Sequence, residues 1–223
     1  MKQKLEIACF NLESALIAQE GGADRVELCK DISIGGITPD ESVVKEAREK
    51  IKIALVVMIN PEGKEYIYSD MDFGKMKKSI VDFKAMGVDG LVFGILNKEG
   101  TINKEQNKEL VQLAFPLPCT FHRAFDKVKN PLDALEDIIN CGFKTILTSG
   151  QKQTAIAGID LLIDLVSKAN GRIAIMPGGG VRSTHISVLK EKLDTSFFHS
   201  SAITASTEFA DVEEVKSLKA KLS

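Results

Sequence analysis

Short apolar runs rich in Val, Ile, Leu and Phe recur along the chain. Each is followed by a longer stretch with apolar residues three and four positions apart. The runs are LEIACF (5–10), RVELC (25–29), KIALVVMI (52–59), GLVFGIL (90–96), CTFHRAF (119–125), TILTSG (145–150), RIAIMP (172–177) and SFFHSSA (196–202). These read as strands, and stretches such as 12–22 and 73–87 read as helices. Gly21–Gly22, Gly87 and Gly142 stand just before strands, where a left-handed helix cap is free of steric cost only without a side chain. Near-continuous apolar strands separated by helices predict a parallel sheet covered on both faces. Eight such units of roughly 28 residues predict a single-domain TIM (β/α)8 barrel spanning residues 1–223. A doubly wound open sheet is the alternative. No linker, composition shift or low-complexity tract divides the chain.

Composition narrows the function classes. With 44% hydrophobic and 27% charged residues, 223 residues can bury a core without disulfides or metals. Lys and Arg number 29 against 31 Asp and Glu, a formal charge of -2, which leaves no basic footprint for nucleic acid or an anionic membrane. No apolar run approaches the roughly 20 residues of a membrane span, and the N-terminus lacks the features of a secretory signal. Cys9, Cys29, Cys119 and Cys141 show no close pairing and are expected as reduced thiols in the cytoplasm.

In a barrel the working residues gather at the carboxyl ends of the strands, and polar residues do accumulate there. Glu6 and Glu27 lie within strands one and two. A carboxylate inside a barrel is paired, hydrogen-bonded, metal-bound or protonated; pairing with Arg25, Arg123 or Arg172 and a role as base or metal ligand both stay open. His122, with its near-neutral titration, can act as acid, base or ligand, and Arg123 can clamp a carboxylate or phosphate. These two are neighbours, so both reach the interior only if the strand has already bent. Asp126 and His199 complete the set. Gly178, Gly179 and Gly180 after strand seven, Ser200 and Ser201 after strand eight, and Ser149 and Gly150 after strand six form an expected anion cradle of backbone N–H groups and hydroxyls. Cys29 shares the parity of Glu27 and is expected to face inward, whereas Cys9 opposes Glu6 and is expected to face the helices. The chain has no GxSxG, Walker or dinucleotide fingerprint. No lysine sits in the carboxyl half of a strand, which disfavours a Schiff base.

GADRVELC (22–29), GGITP (35–39), VMINPEG (57–63), GVDGLVFGIL (87–96), TFHRAFD (120–126), ILTSG (146–150), IMPGGGV (175–181) and FHSSA (198–202) together resemble the CutC family of copper homeostasis proteins. The resemblance runs from Glu6 to about Ala202. It implies a TIM barrel, a cytoplasmic location, copper as the bound ion and self-association into homo-oligomers. The copper proposal carries over to Cys29, and the polar strand-end set to Glu6, Glu27, His122, Arg123, Asp126 and His199. Where the family typically reads Met-Ile-Arg-Pro-Arg, this chain has Asn60 and Glu62 in place of both arginines, and Asn103 replaces a usual Asp. Two functions follow as expectations: copper binding through Cys29, or an isomerase- or lyase-like enzyme for a small, phosphorylated ligand, with a divalent cation held by Glu and His. In the second, Glu27 and His122 would be base and acid, and Arg123 the clamp.

Overall fold

Each predicted apolar run forms a strand, and each strand leads into a helix. The computed structural model describes residues 3–61, 63, 65–205 and 207–223. In chain order these contain β1 (Lys4–Cys9), α1 (Leu12–Glu20), β2 (Arg25–Leu28), α2 (Glu41–Lys50), β3 (Ala54–Met58), α3 (Asp70–Ala85), β4 (Gly90–Phe93) and α4 (Lys104–Ala114). The second half adds β5 (Cys119–Phe121), α5 (Pro131–Cys141), β6 (Thr145–Thr148), α6 (Ile159–Ala169), β7 (Ala174–Pro177), α7 (Ile186–Lys192), β8 (Phe197–Ser200) and α8 (Val212–Leu222). All strand pairs are parallel, in the order β7-β6-β5-β4-β3-β2-β1-β8. β7 and β8 pack side by side and bring the ring nearly to closure, giving a TIM barrel rather than an open sheet.

Strand parity sorts the side chains. Leu5, Ile7 and Cys9 of β1, Val26 and Leu28 of β2, and Leu55 and Val57 of β3 belong to the large core between strands and helices. The alternate positions point into the barrel, where Cys29, Val56, Met58 and Val92 form a small apolar cluster of their own with Phe10 against it. Helix starts are fixed by local polar side chains: Asn11, Ser69, Asn103, Asn130 and Asp211 each accept a hydrogen bond from an otherwise unpaired N–H of the first turn. The expected glycine caps are present, with Gly22, Gly87 and Gly142 all at positive φ.

The fifth strand is shorter than its apolar run. β5 ends at Phe121, and Arg123–Lys127 wind into a 3-10 turn. His122 terminates the strand because its Nδ1 accepts the backbone N–H of Ala124 at 3.3 Å, a local bond that competes with the ladder. No helix among the described residues is long and apolar enough to cross a membrane.

Candidate functional site

The carboxyl ends of the strands enclose a cavity of about 380 Å³. Its walls include Glu27, Cys29, Met58, Asn60, Tyr66, His122, Arg123, Asp126, Gly179, Gly180, His199 and Ser201. Period-two geometry brings Glu27, Cys29, Met58 and His199 here from β2, β3 and β8. The bend after β5 adds His122 and Arg123, so two sequence neighbours line the same space.

One wall is a buried chain of ionisable groups. Register pairs Glu6 with both Arg25 and His199 across β2 and β8. One Glu6 oxygen accepts a bond from Nε of Arg25; the other meets Nδ1 of His199 at 2.8 Å. Burial works to raise the Glu6 pKa, but Arg25 and then His199 reverse this and hold it below the usual carboxylate range. Glu27 differs. Burial pushes it up to about 7, with the charge of His199 opposing and that of Glu6 adding. Among the described residues its buried Oε1 has no hydrogen-bond partner, and its Oε2 lies 3.7 Å from Nε2 of His199. For His199, burial lowers the pKa, yet the bond to Glu6 and the charge of Glu27 leave it raised.

Glu6, Glu27 and His199 present ligand atoms within 4.8 Å of one another, a spacing that suits a metal ion. Glu6 is already tied to Arg25, so the atoms left to coordinate are those of Glu27 and His199. His199 has the arrangement common to metal-bound imidazoles: one nitrogen is fixed by a carboxylate, and the other is turned toward the site. Cys29 is two residues beyond Glu27 on the same side of the chain. Burial raises its thiol pKa well above the ordinary value, and the carboxylate of Glu27 adds to the effect. Cys9 is buried in the outer core, where its thiol meets the carbonyl of Ile7.

The other wall comes from β5 to β8. His122 is 2% exposed and inclined against the Tyr66 ring at 4.6 Å. Burial drives its pKa down to about 3, so it is a neutral imidazole at physiological pH. Because Nδ1 accepts from Ala124, the proton sits on Nε2, a buried donor with no partner among the described residues. Asp126 braces the loop after β6: it accepts from the Thr148 hydroxyl at 2.5 Å, from the N–H groups of Ser149 and Gln151 at 3.0 and 3.1 Å, and from Nε of Arg123 at 2.7 Å. Nη2 of Arg123 reaches the Ser149 hydroxyl at 2.9 Å. Ser149 in turn donates to the Lys152 carbonyl.

Ser200 is also committed internally, donating to the Val181 carbonyl at 2.7 Å and accepting from Ala202 at 3.0 Å. Gly150 donates to the Thr148 hydroxyl at 3.0 Å, and Gly178 to the Thr148 carbonyl at 3.0 Å. Asn60, one of the two positions where the sequence lacks an expected arginine, ties loops together. It donates to the Gly36 carbonyl at 2.9 Å and accepts from Tyr68 at 2.8 Å. The other position, Glu62, lies outside the described residues. Sequence reasoning passed over Met58 and Tyr66. Met58 was findable, since it shares inward parity with Val56 at the end of its strand. Tyr66 comes from a loop with no periodicity to place it.

Comparison with known proteins gives a consistent neighbourhood. The model of the CutC family matches residues 3–204. A copper homeostasis protein cutC homolog of Homo sapiens is 42% identical over 198 residues, covering 89% of this chain and 72% of the relative. A family protein CutC of Proteus mirabilis is 45% identical over 201 residues, covering 89% and 79%. Among solved structures, a CutC protein from Streptococcus agalactiae superposes with a TM-score of 0.85 at 32% identity, covering 92% of this chain and all of that one. Phosphoribosylanthranilate isomerase from Thermotoga maritima shares the fold alone, at a TM-score of 0.66 and 15% identity over 99% of this chain and 98% of that one.

Proposed function

The chain belongs to the CutC family, and we propose that it serves copper homeostasis by taking up copper inside the barrel mouth, with Cys29 as the sulfur ligand. The observation that carries this reading is the buried group beside Cys29. His199 is fixed through Nδ1 by Glu6 at 2.8 Å, and the Oε1 of Glu27 has no hydrogen-bond partner among the described residues. A thiolate, a neutral imidazole and a nearby thioether such as Met58 are the soft and borderline donors that favour Cu(I). Glu27 lies alongside as a carboxylate that balances the ion's charge. A divalent cation is the weaker fit, because Arg25 already holds one of the two carboxylates it would need.

Without metal the Cys29 thiol stays protonated. Copper must displace that proton, so uptake tightens as pH rises. Four free cysteines suit a reducing cytoplasm. The test is anaerobic Cu(I) titration against a chromophoric chelator. Wild type should bind one equivalent, Cys9→Ala should match it, and Cys29→Ala should weaken binding about a hundredfold. Equal affinity for Cys29→Ala and wild type would remove the proposed ligand.

A further inference from the structure

The wall opposite Cys29 has recognition chemistry that copper uptake does not use. Gly179 and Gly180 both adopt positive φ, at 99° and 67°. Among the described residues, neither N–H donates to a protein acceptor. The turn favours glycine: its φ is in the left-handed region, and a Cβ on Gly179 would lie a tight 3.2 Å from Nη1 of Arg123 and 3.1 Å from Cβ of Ser149. The guanidinium therefore packs directly against the turn. Asp126 and Ser149 occupy its Nε and Nη2, while Nη1 faces Gly179. Ser201 lines the cavity from the next strand end, its hydroxyl engaged, among the described residues, only by a long 3.5 Å contact from the Ile203 N–H.

Gly179, Gly180, Ser201 and Arg123 all line this one cavity, with Arg123 40% exposed at its side chain. Deeper in the same cavity, His122 holds a buried Nε2–H with nothing to donate to. A desolvated donor without an acceptor is destabilising. The fold tolerates this cost at a residue that is also fixed on its other nitrogen and against Tyr66.

We propose that this wall binds a small phosphate monoester. The phosphate is held by the N–H groups of Gly179 and Gly180, the Ser201 hydroxyl and Nη1 of Arg123. An oxygen on the body of the molecule accepts from Nε2 of His122. Loops after strands seven and eight are where barrels of this architecture commonly seat phosphates, and consecutive N–H groups in a left-handed turn form an anion-binding concavity. The cavity, at about 380 Å³, is large enough for a triose- or pentose-sized phosphate. Phosphate binding here is separate from copper uptake, since none of these residues is a proposed copper ligand.

The test uses the uniformly 15N-labelled full chain, titrated with inorganic phosphate and separately with glycerol 3-phosphate, against chloride at matched ionic strength. The Gly179 and Gly180 amide resonances should shift together and saturate with both phosphates and not with chloride. Glycerol 3-phosphate should saturate at about fivefold lower concentration and also shift the His122 Nε2 resonance. Arg123→Gln should weaken both titrations about tenfold. Should that variant not fold, as its unliganded spectrum would reveal, Ser201→Ala should still weaken them about threefold. Glycine amides that fail to saturate up to about 20 mM of either probe would overturn the site. Equal affinities with an unmoved His122 would overturn the ester assignment.

Discussion

Glu27 is the residue whose environment conflicts most with its chemistry. It is 3% exposed, and its pKa rises from 4.5 to about 7. In the unfolded chain the carboxyl titrates near its ordinary value, so between those two pH values the folded state holds more protons. Stability therefore falls as pH rises through that window. A neutral amide removes this dependence. Glu27→Gln should raise the melting temperature of the metal-free protein at pH 8, equivalent to about 2 kcal/mol. The advantage should shrink toward pH 5, as differential scanning calorimetry at the two pH values will show. His122 acts in the opposite sense: with its pKa depressed to about 3, it favours folding above its unfolded pKa and opposes folding as pH falls below it.

At the scale of elements, the loops after β5 and β6 set the mouth more than the strands do. Asp126 gathers donors from Thr148 at the end of β6, from Ser149 and Gln151 of the loop after it, and from Arg123 of its own turn, which fixes Arg123 at the rim. The same loop runs against the start of α6, where a Cβ on Gly158 would lie 2.0 Å from the Ser149 carbonyl oxygen. Backbone cannot yield as a flexible side chain can. Gly158→Ala should cost about 3 kcal/mol or more in urea unfolding. It should also lower the proposed phosphate affinity by displacing Ser149. Gly74 gives the opposite outcome, being exposed within α3 with open space for 4 Å around the place an added methyl would take. Gly74→Ala should stabilise by about 0.5–1 kcal/mol, because it removes backbone freedom from the unfolded chain.

For the whole molecule, the vulnerable line is where β7 meets β8. Arg25 spans it from inside. It bonds Glu6 on β1, reaches the Met176 sulfur on β7 at 3.7 Å, and lies 4.0 Å from the Phe197 ring centroid on β8. Arg25→Ala removes all three contacts and leaves Glu6 buried beside His199 alone. We expect a loss of about 3–5 kcal/mol in denaturant unfolding. The double variant Arg25→Met with Glu6→Gln should recover most of it, since neither charge then remains. A recovery no greater than that of Arg25→Met alone would locate the loss in packing at the seam rather than in the stranded carboxylate.

Much of this was legible in the sequence because a strand's side chains alternate with a strict period of two. The eight strands, the inward set of Glu6, Glu27 and Cys29, and the outward turn of Cys9 all follow from that spacing. Alternation cannot tell which residues meet across strands. Arg25, Arg123 and Arg172 were equal candidates to neutralise Glu6; register assigned Arg25, while Arg172 pairs with Glu136 at the surface and Arg123 with Asp126. It also cannot foresee that the chain bends at His122, which puts two sequence neighbours into one cavity, or that Tyr66 arrives from a loop to hold that ring. Apolar spacing along the chain was enough to specify the alternating strands and helices and the face each strand residue takes, since both are local properties of the backbone; closure into a barrel rather than an open sheet was decided by β7 packing beside β8. Which charges neutralise one another, and which donors stay unpaired, came from the folded chain alone, because those depend on contacts between segments far apart in sequence.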